Sequence, residues 1–288
     1  MRCRNHVNLL FEDDDILVVN KPAPFLSIPD HFNPGLPNLA DLLNEMYGRV
    51  FVVHRLDRDT SGIILFAKNE DAHRALSRQF EHHSVQKTYV ALVDGRLATG
   101  SGCITFPLRE DIHHSERTEV DERHGKPSET SYRVLEQFGN SAFVEVMPKT
   151  GRMHQIRAHF KAIGHPLLID PLYGIHLAIY LSQMKLDYKL TAAEERPLMA
   201  RLALHAWRLS FAHPGREEIL TFEAPLQKDF AILLKYLRKH QIIFWDRLPS
   251  TTETRPIRRK SRQRWDKYST TLLHHDKRAY GHTASKTH

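Results

Sequence analysis

Apolar residues along this 288-residue chain cluster in short runs, most of them too short for a typical helix and rich in β-branched or aromatic side chains. Val18-Val19 lies in one run that stops at Asn20-Lys21-Pro22-Ala23-Pro24, where two prolines break regular pairing. Val50 to Val53 and Ile63 to Ala67 form two more, joined by a tight connection. Lys87 to Val93 predicts a strand ending at the turn pair Asp94-Gly95, and Ser131–Leu135 and Ala142–Met147 alternate as strands do. Trp207-Leu209-Phe211 and Leu220-Phe222 flank Pro214-Gly215, which predicts a hairpin. Helical spacing is confined to a few stretches. Asn38 to Tyr47 carries Leu39, Leu42 and Leu43 on one face, and Ala72 to Phe80 is a second helix. Thr150-Gly151 opens a third, with Met153, Ile156, Phe160 and Ile163 as one apolar stripe and Gly164 as the stop. Phe230, Leu233, Leu234 and Leu237 mark a last amphipathic helix. Strands outnumber helices and several hairpins are expected, so the pattern predicts an α+β fold on a largely antiparallel sheet. Residues 173 to 200 read as a peripheral insert. No internal repeat is found.

The periodic pattern ends near Asp246. Residues 249–264 have almost no apolar content and are expected to be disordered. From Arg247 to His288 there are eleven Lys and Arg against three Asp and Glu, a charge of +8. The formal net charge of the chain is +7, so the preceding 246 residues carry −1. The expected organisation is a domain over 1–246 and a basic tail over 247–288. Trp265, Tyr268 and Tyr280 are interleaved with the tail's cations and could stack on bases, although a solvated terminus explains the same composition. With 41% hydrophobic residues the chain can bury a full core. Its two cysteines, Cys3 and Cys103, cannot build a disulfide framework, which fits a reducing compartment. No run approaches the roughly 20 apolar residues of a membrane span, and no secretory h-region precedes Glu12 to Asp15. A monomer in the cytoplasm is the expectation.

Chemistry concentrates in His54-Arg55-Leu56-Asp57-Arg58-Asp59-Thr60-Ser61-Gly62, which sets Asp57 between two arginines in the connection between two apolar runs. Nearby cations favour the carboxylate form. A fixed, partly desolvated carboxylate is a plausible nucleophile, whereas an aspartate in a turn more often bonds its own backbone.

This string, continued by Ile63-Ile64-Leu65-Phe66-Ala67-Lys68, closely resembles the catalytic motif of the RluA-type pseudouridine synthases. Three other segments resemble the same family: Phe11 to Pro22, its opening strand; Lys87-Thr88-Tyr89-Val90-Ala91-Leu92-Val93, its Lys-x-Tyr strand; and Gly151-Arg152-Met153-His154-Gln155-Ile156-Arg157-Ala158-His159 with Asp170-Pro171-Leu172-Tyr173-Gly174, its third motif. The resemblance covers roughly residues 9 to 240. Met153 stands where the family usually has Thr and Pro24 where Gly is common, and neither position is assigned to chemistry. The resemblance implies a mixed sheet crossed by a catalytic cleft; family members often carry an N-terminal S4 module, and with only about ten residues before the first strand none is expected here. It implies isomerisation of a specific uridine in structured RNA, rRNA or tRNA, to pseudouridine. Asp57 would be the catalytic carboxylate and Arg157 its ion-pair partner. Tyr89 would stack on the target base, and Arg55 would fill the space left by the extruded nucleotide. The reaction oxidises nothing and loses no group, so no cofactor is expected.

No metal is expected either. His154 and His159 are five residues apart and do not share a helix face; His82-His83 and His113-His114 lack a third ligand nearby. Glu12 to Asp15 lacks the glycine and distal Glu of a calcium loop and reads as a solvated turn. The alternative function is a non-catalytic RNA-binding or RNA-folding protein with the same fold.

Overall fold

The computed structural model describes residues 8–111, 117–188 and 195–244. The tail and His113-His114 lie outside them. The strands are β1 (Asn8–Glu12), β2 (Ile16–Lys21), β3 (Phe51–Val52), β4 (Ser61–Ala67), β5 (Gln86–Asp94), β6 (Ser101–Ile104), β7 (Leu108–Glu110), β8 (Thr118–Val120), β9 (Thr130–Gln137), β10 (Ser141–Pro148), β11 (Leu204–Ala212) and β12 (Ile219–Glu223). The helices are α1 (Leu39–Tyr47), α2 (Glu70–Glu81), α3 (Gln155–Ala162) and α4 (Lys228–His240). Ten of these strands form one sheet in the order β1-β2-β4-β11-β5-β10-β9-β6, with β3 also on β4 and β12 also on β11. Strands β7 and β8 form a separate ribbon. Every pairing is antiparallel except β4 with β11, where Ser61 lies opposite His205 and Gly62 opposite Ala206.

The apolar runs become central strands because both of their faces are covered. Along β2, Ile16 and Val18 pack with α2 residues Ala72 and Leu76, whereas Leu17 and Val19 pack with α1 residues Leu39 and Leu43. Strand β5 alternates likewise. Val90 and Leu92 face α4, and Ala91 and Val93 face Ile156 and Phe160 of α3. Tyr89 shares the parity of Ala91 and packs against both the α1 and the α3 cluster. Helices α1 and α3 therefore lie on one face of the sheet, α2 and α4 on the other, and Tyr89 sits at the seam between α1 and α3.

Gly62 marks the closest backbone approach in the sheet. Its φ is +114°, and a Cβ there would stand 2.1 Å from the Ala206 carbonyl oxygen on β11. No side chain fits. Gly62→Ala is expected to cost more than about 4 kcal/mol or prevent folding, read by denaturant unfolding; a melt within 2 °C of wild type would refute that account (about 1 kcal/mol at this size).

Three expectations are corrected. The run Val50–Val53 pairs only through Phe51 and Val52, opposite Ala67 and Phe66. Beyond them the imidazole of His54 takes the Leu65 N–H at 3.0 Å in place of a strand partner, so the connection to β4 is a longer loop over 53–60. Helix α3 begins at Gln155, not at Thr150-Gly151. The Gln155 side chain accepts from the Thr150 hydroxyl (2.8 Å) and the Arg152 N–H (3.0 Å), which holds 150–154 as a loop. Residues 173 to 200 are not peripheral throughout: Ile179, Met184 and Met199 are buried in the cluster beneath α4. Short irregular segments carry no periodicity from which such burial could be read.

Candidate active site

The loop 53–60 carries Asp57, and its course is fixed by buried polar anchors. Lys21, with no exposed surface, donates from Nζ to the carbonyls of Pro22 (3.1 Å), Phe25 (2.6 Å) and Arg58 (3.1 Å). Burial pulls its pKa down to about 7, opposed by Asp59 and Asp57. Three carbonyl acceptors require three N–H donors, which only the ammonium form supplies. The Ser27 hydroxyl donates to the Leu56 carbonyl at 2.7 Å and accepts the Leu56 N–H at 3.1 Å. His54 stacks on Phe80 with centroids 4.6 Å apart. Burial, then the charge of Lys87, lowers its pKa to about 3, so its Nε2 stays an acceptor for Leu65.

Asp57 turns its side chain away from this loop. The backbone carbonyl closes a turn with the Thr60 N–H at 3.1 Å. The carboxylate instead faces Arg157 Nη1 at 3.5 Å and His154 Nε2 at 3.6 Å. Its side chain is 32% exposed, against 6% for that of Arg157. Arg157 is thus no solvent-facing helix residue; all of Gln155 to Phe160 is buried.

Arg157 is held chiefly by a residue to which sequence reasoning gave no role. Its Nε and Nη2 donate to the two oxygens of Asp170 at 2.7 and 2.8 Å, a bidentate pair. Asp170 also accepts the N–H groups of Leu172 (2.9 Å) and Tyr173 (3.1 Å). Burial opposes the Arg157 charge, but Asp170 and then Asp57 outweigh it and raise its pKa. With Nε and Nη2 occupied, Nη1 points at Asp57.

His154 completes the support. It is the N-cap of α3 and adopts the left-handed conformation, φ 51° and ψ 20°, uncommon for a residue with a side chain. Its Nδ1 lies 3.1 Å from the Tyr173 hydroxyl. That hydroxyl already accepts the Thr118 N–H at 2.6 Å, which leaves its proton for Nδ1. Burial lowers the His154 pKa, and Asp57 opposes the shift. The neutral ring then carries its proton on Nε2, aimed at the Asp57 carboxylate.

Asp57, Arg55, Tyr89, Arg157 and His154 all line one cavity of about 380 Å³, walled by the loop 53–60, the end of α2 and the start of α3. All four residues singled out in the sequence reach it. Arg55 is exposed at its rim. Burial, then Asp57, pushes the Tyr89 hydroxyl well above its ordinary pKa, so it stays protonated. Four cationic side chains, Arg55, Lys87, Arg152 and Arg157, line the cavity against the single carboxylate of Asp57. A wider depression of about 540 Å³ beside Pro22 and the start of α4 is lined by one carboxylate, Asp229, already bound bidentately to Arg201 at 2.7 Å, with Gln227 and Lys228 beside it.

This geometry agrees with the comparison of sequences: the sequence model for RNA pseudouridylate synthase matches residues 15–162, more than half the chain and inclusive of Asp57, Tyr89 and Arg157. The chain belongs to the RNA pseudouridylate synthase family. It is similar to ribosomal large subunit pseudouridine synthase D of Nitrosomonas europaea, 37% identical over 257 residues that cover 87% of this chain and 69% of that protein. It is also similar to the dual-specificity RNA pseudouridine synthase RluA of Vibrio vulnificus, 39% identical over 211 residues, 72% of this chain and 78% of that one. Among solved structures, human RNA pseudouridylate synthase domain containing 1 superposes with a TM-score of 0.60 at 25% identity, over 81% of this chain and 95% of that chain. This pseudouridine synthase of the RluA type is therefore an isomerase, and its mixed sheet is the fold of the family.

The synthase holds one group with metal-ligand spacing among the described residues, Asp13, Asp15 and His213. The sequence reading took Asp13 for part of a solvated turn. Its Oδ1 accepts the Asp15 and Ile16 N–H groups at 2.9 Å, as a turn aspartate does, and the carboxylate also locks two hairpins: Asp13 pairs with Arg216 and accepts from His213 Nε2 at 2.9 Å, while His213 Nδ1 accepts the Gly215 N–H at 3.1 Å. Its donors are already committed to one another. No helix among the described residues is long and apolar enough to cross a membrane.

Proposed function

We propose that this synthase converts a uridine in rRNA or tRNA to pseudouridine with Asp57 as its catalytic carboxylate, acting on a nucleotide flipped out of its stack. In that reaction the N1–C1′ bond breaks, the base turns, C5 joins C1′, and the C5 proton is lost while N1 gains one. Asp57 initiates cleavage at the glycosidic bond. Arg157 and His154 hold the carboxylate in place and stabilise its charge with preorganised donors. Tyr89 stacks on the base, and Arg55 at the rim enters the gap in the RNA. The observation that carries this reading is the Asp57 carboxylate itself. It is one-third exposed, backed by Arg157 and His154, and opens into a cavity it shares with Tyr89. A protein that only folds RNA needs the cationic wall but not that carboxylate. One relative is named for the ribosomal large subunit and the other for dual specificity, so the reading is tested on both rRNA and tRNA. Tritium release from RNA labelled with 5-³H-uridine, measured on unmodified rRNA and unmodified tRNA, should occur with at least one. Binding of both without release from either would overturn the catalytic reading.

A further inference from the structure

Lys87 has no part in the chemistry above, yet it is placed for a ligand. It precedes Tyr89 by two residues on β5, so both side chains leave the strand on one face, about 7 Å apart along it. Both line the cavity. Among the described residues Nζ donates only to the Thr150 carbonyl, at a long 3.3 Å, and pairs with no carboxylate. Burial lowers its pKa, with no anion acting against the shift. A cation taken out of water without a counter-ion is destabilising. Lys21, fully buried where Lys87 is half-buried, answers that cost with three carbonyls. Lys87 leaves it unanswered. Gly151 lies beside it, where a Cβ would stand 3.7 Å from Nζ, in ordinary van der Waals contact.

We propose that Lys87 is a phosphate-binding residue, pairing with the phosphodiester next to the uridine that stacks on Tyr89. The inference rests on the reading that RNA enters this cavity. An ammonium is a compact point charge suited to a phosphate oxygen, and a nucleotide laid along β5 with its base on Tyr89 brings its own phosphate toward residue 87. The anion missing from the protein is then supplied by the substrate, and the cavity's excess of positive charge gains a specific anchor rather than a diffuse field.

Two variants of the full chain, Lys87→Met and Lys87→Arg, test this against wild type. Without RNA, Lys87→Met should melt at or above the wild-type temperature, because a half-buried cation without a counter-ion has been removed. Single-turnover tritium release is then followed over a range of enzyme concentrations and KCl, on unmodified large-subunit rRNA and tRNA transcripts. Lys87→Met should raise the half-saturating concentration about 10-fold, with the saturating rate constant changed less than threefold. It should also reduce the slope of log affinity against log salt by about 0.7 to 0.9, one phosphate contact. Lys87→Arg should keep the slope. An unchanged slope in Lys87→Met, with wild type active, overturns the phosphate site and leaves the substrate reading standing. So does a lower melting temperature coupled to a loss in the saturating rate alone, which marks a structural prop. A wild type that neither binds nor turns over either RNA overturns both.

Discussion

Asp57→Asn is expected to lower tritium release by at least about 10³-fold, the scale on which losing a reacting group departs from losing a binding contact. RNA affinity should change less than threefold. The amide has the shape of the carboxylate and can still accept from Arg157 Nη1 and His154 Nε2, so the cavity keeps its form. What it lacks is the negative charge that the proposed reaction uses to initiate cleavage of the N1–C1′ bond. Folding should be nearly unaffected. The two contacts of Asp57, with the Arg157 cation and the neutral His154, are long, 3.5 and 3.6 Å, and its side chain is one-third exposed, so their loss should cost less than about 1 kcal/mol. Asp59 is the internal control. It lies two residues away, shares the loop and pairs with Arg58 at 3.3 Å, but is absent from the cavity lining. Asp59→Asn should keep turnover within about tenfold, consistent with an exposed pair that contributes little. Turnover retained by Asp57→Asn, or lost equally in both variants, would remove Asp57 from the chemistry.

Sequence reading reached the parts of this molecule that repeat at a period or sit in a contiguous string. Strands β2 and β4 are continuous apolar runs because α1 and α2 cover opposite faces of the sheet, and the Leu39–Leu43 and Phe230–Leu237 stripes are helices as expected. Asp57, Tyr89 and Arg157 could be named through the resemblance, and the fold brings them to one cavity. What escaped is side-chain pairing across long separations. Arg157 and Asp57 are 100 residues apart, and the contacts of Lys21 with Arg58 span 37. No window of sequence contains both ends of such a bond. The start of α3 escaped for the opposite reason. Met153 extends the apolar stripe by one turn, but the local Gln155 side chain and the left-handed His154 override periodicity within five residues. Asp170 was half visible: an aspartate two and three residues ahead of the N–H groups it accepts makes an ordinary Asx turn. Nothing in Asp170-Pro171-Leu172-Tyr173-Gly174 says that the same carboxylate also clamps an arginine on α3.

That clamp underlies the second large effect. Asp170→Asn should destabilise the protein by about 3 to 5 kcal/mol, the usual cost of removing one partner from a buried ion pair. The side chain of Asp170 is fully buried and receives four N–H donors, two from Arg157 and two from the backbone. An amide has one acceptor oxygen and one donor group. Whichever way it is turned, its NH₂ meets another donor, and the buried guanidinium loses its full counter-charge. For a chain of this size the melting temperature should fall by roughly 6 to 20 °C. Activity should fall as well, below the new melting temperature, because Arg157 Nη1 faces Asp57 only while Nε and Nη2 are pinned. The double variant Arg157→Met/Asp170→Leu separates the two roles. Replacing both charges by apolar groups removes the stranded ion, so most of the lost stability should return. Catalysis should not, since the Asp57 carboxylate then has only His154 behind it. Recovery of turnover together with stability would mean that the pair serves packing alone, and a melting temperature unchanged in Asp170→Asn would mean that the clamp contributes little to the fold.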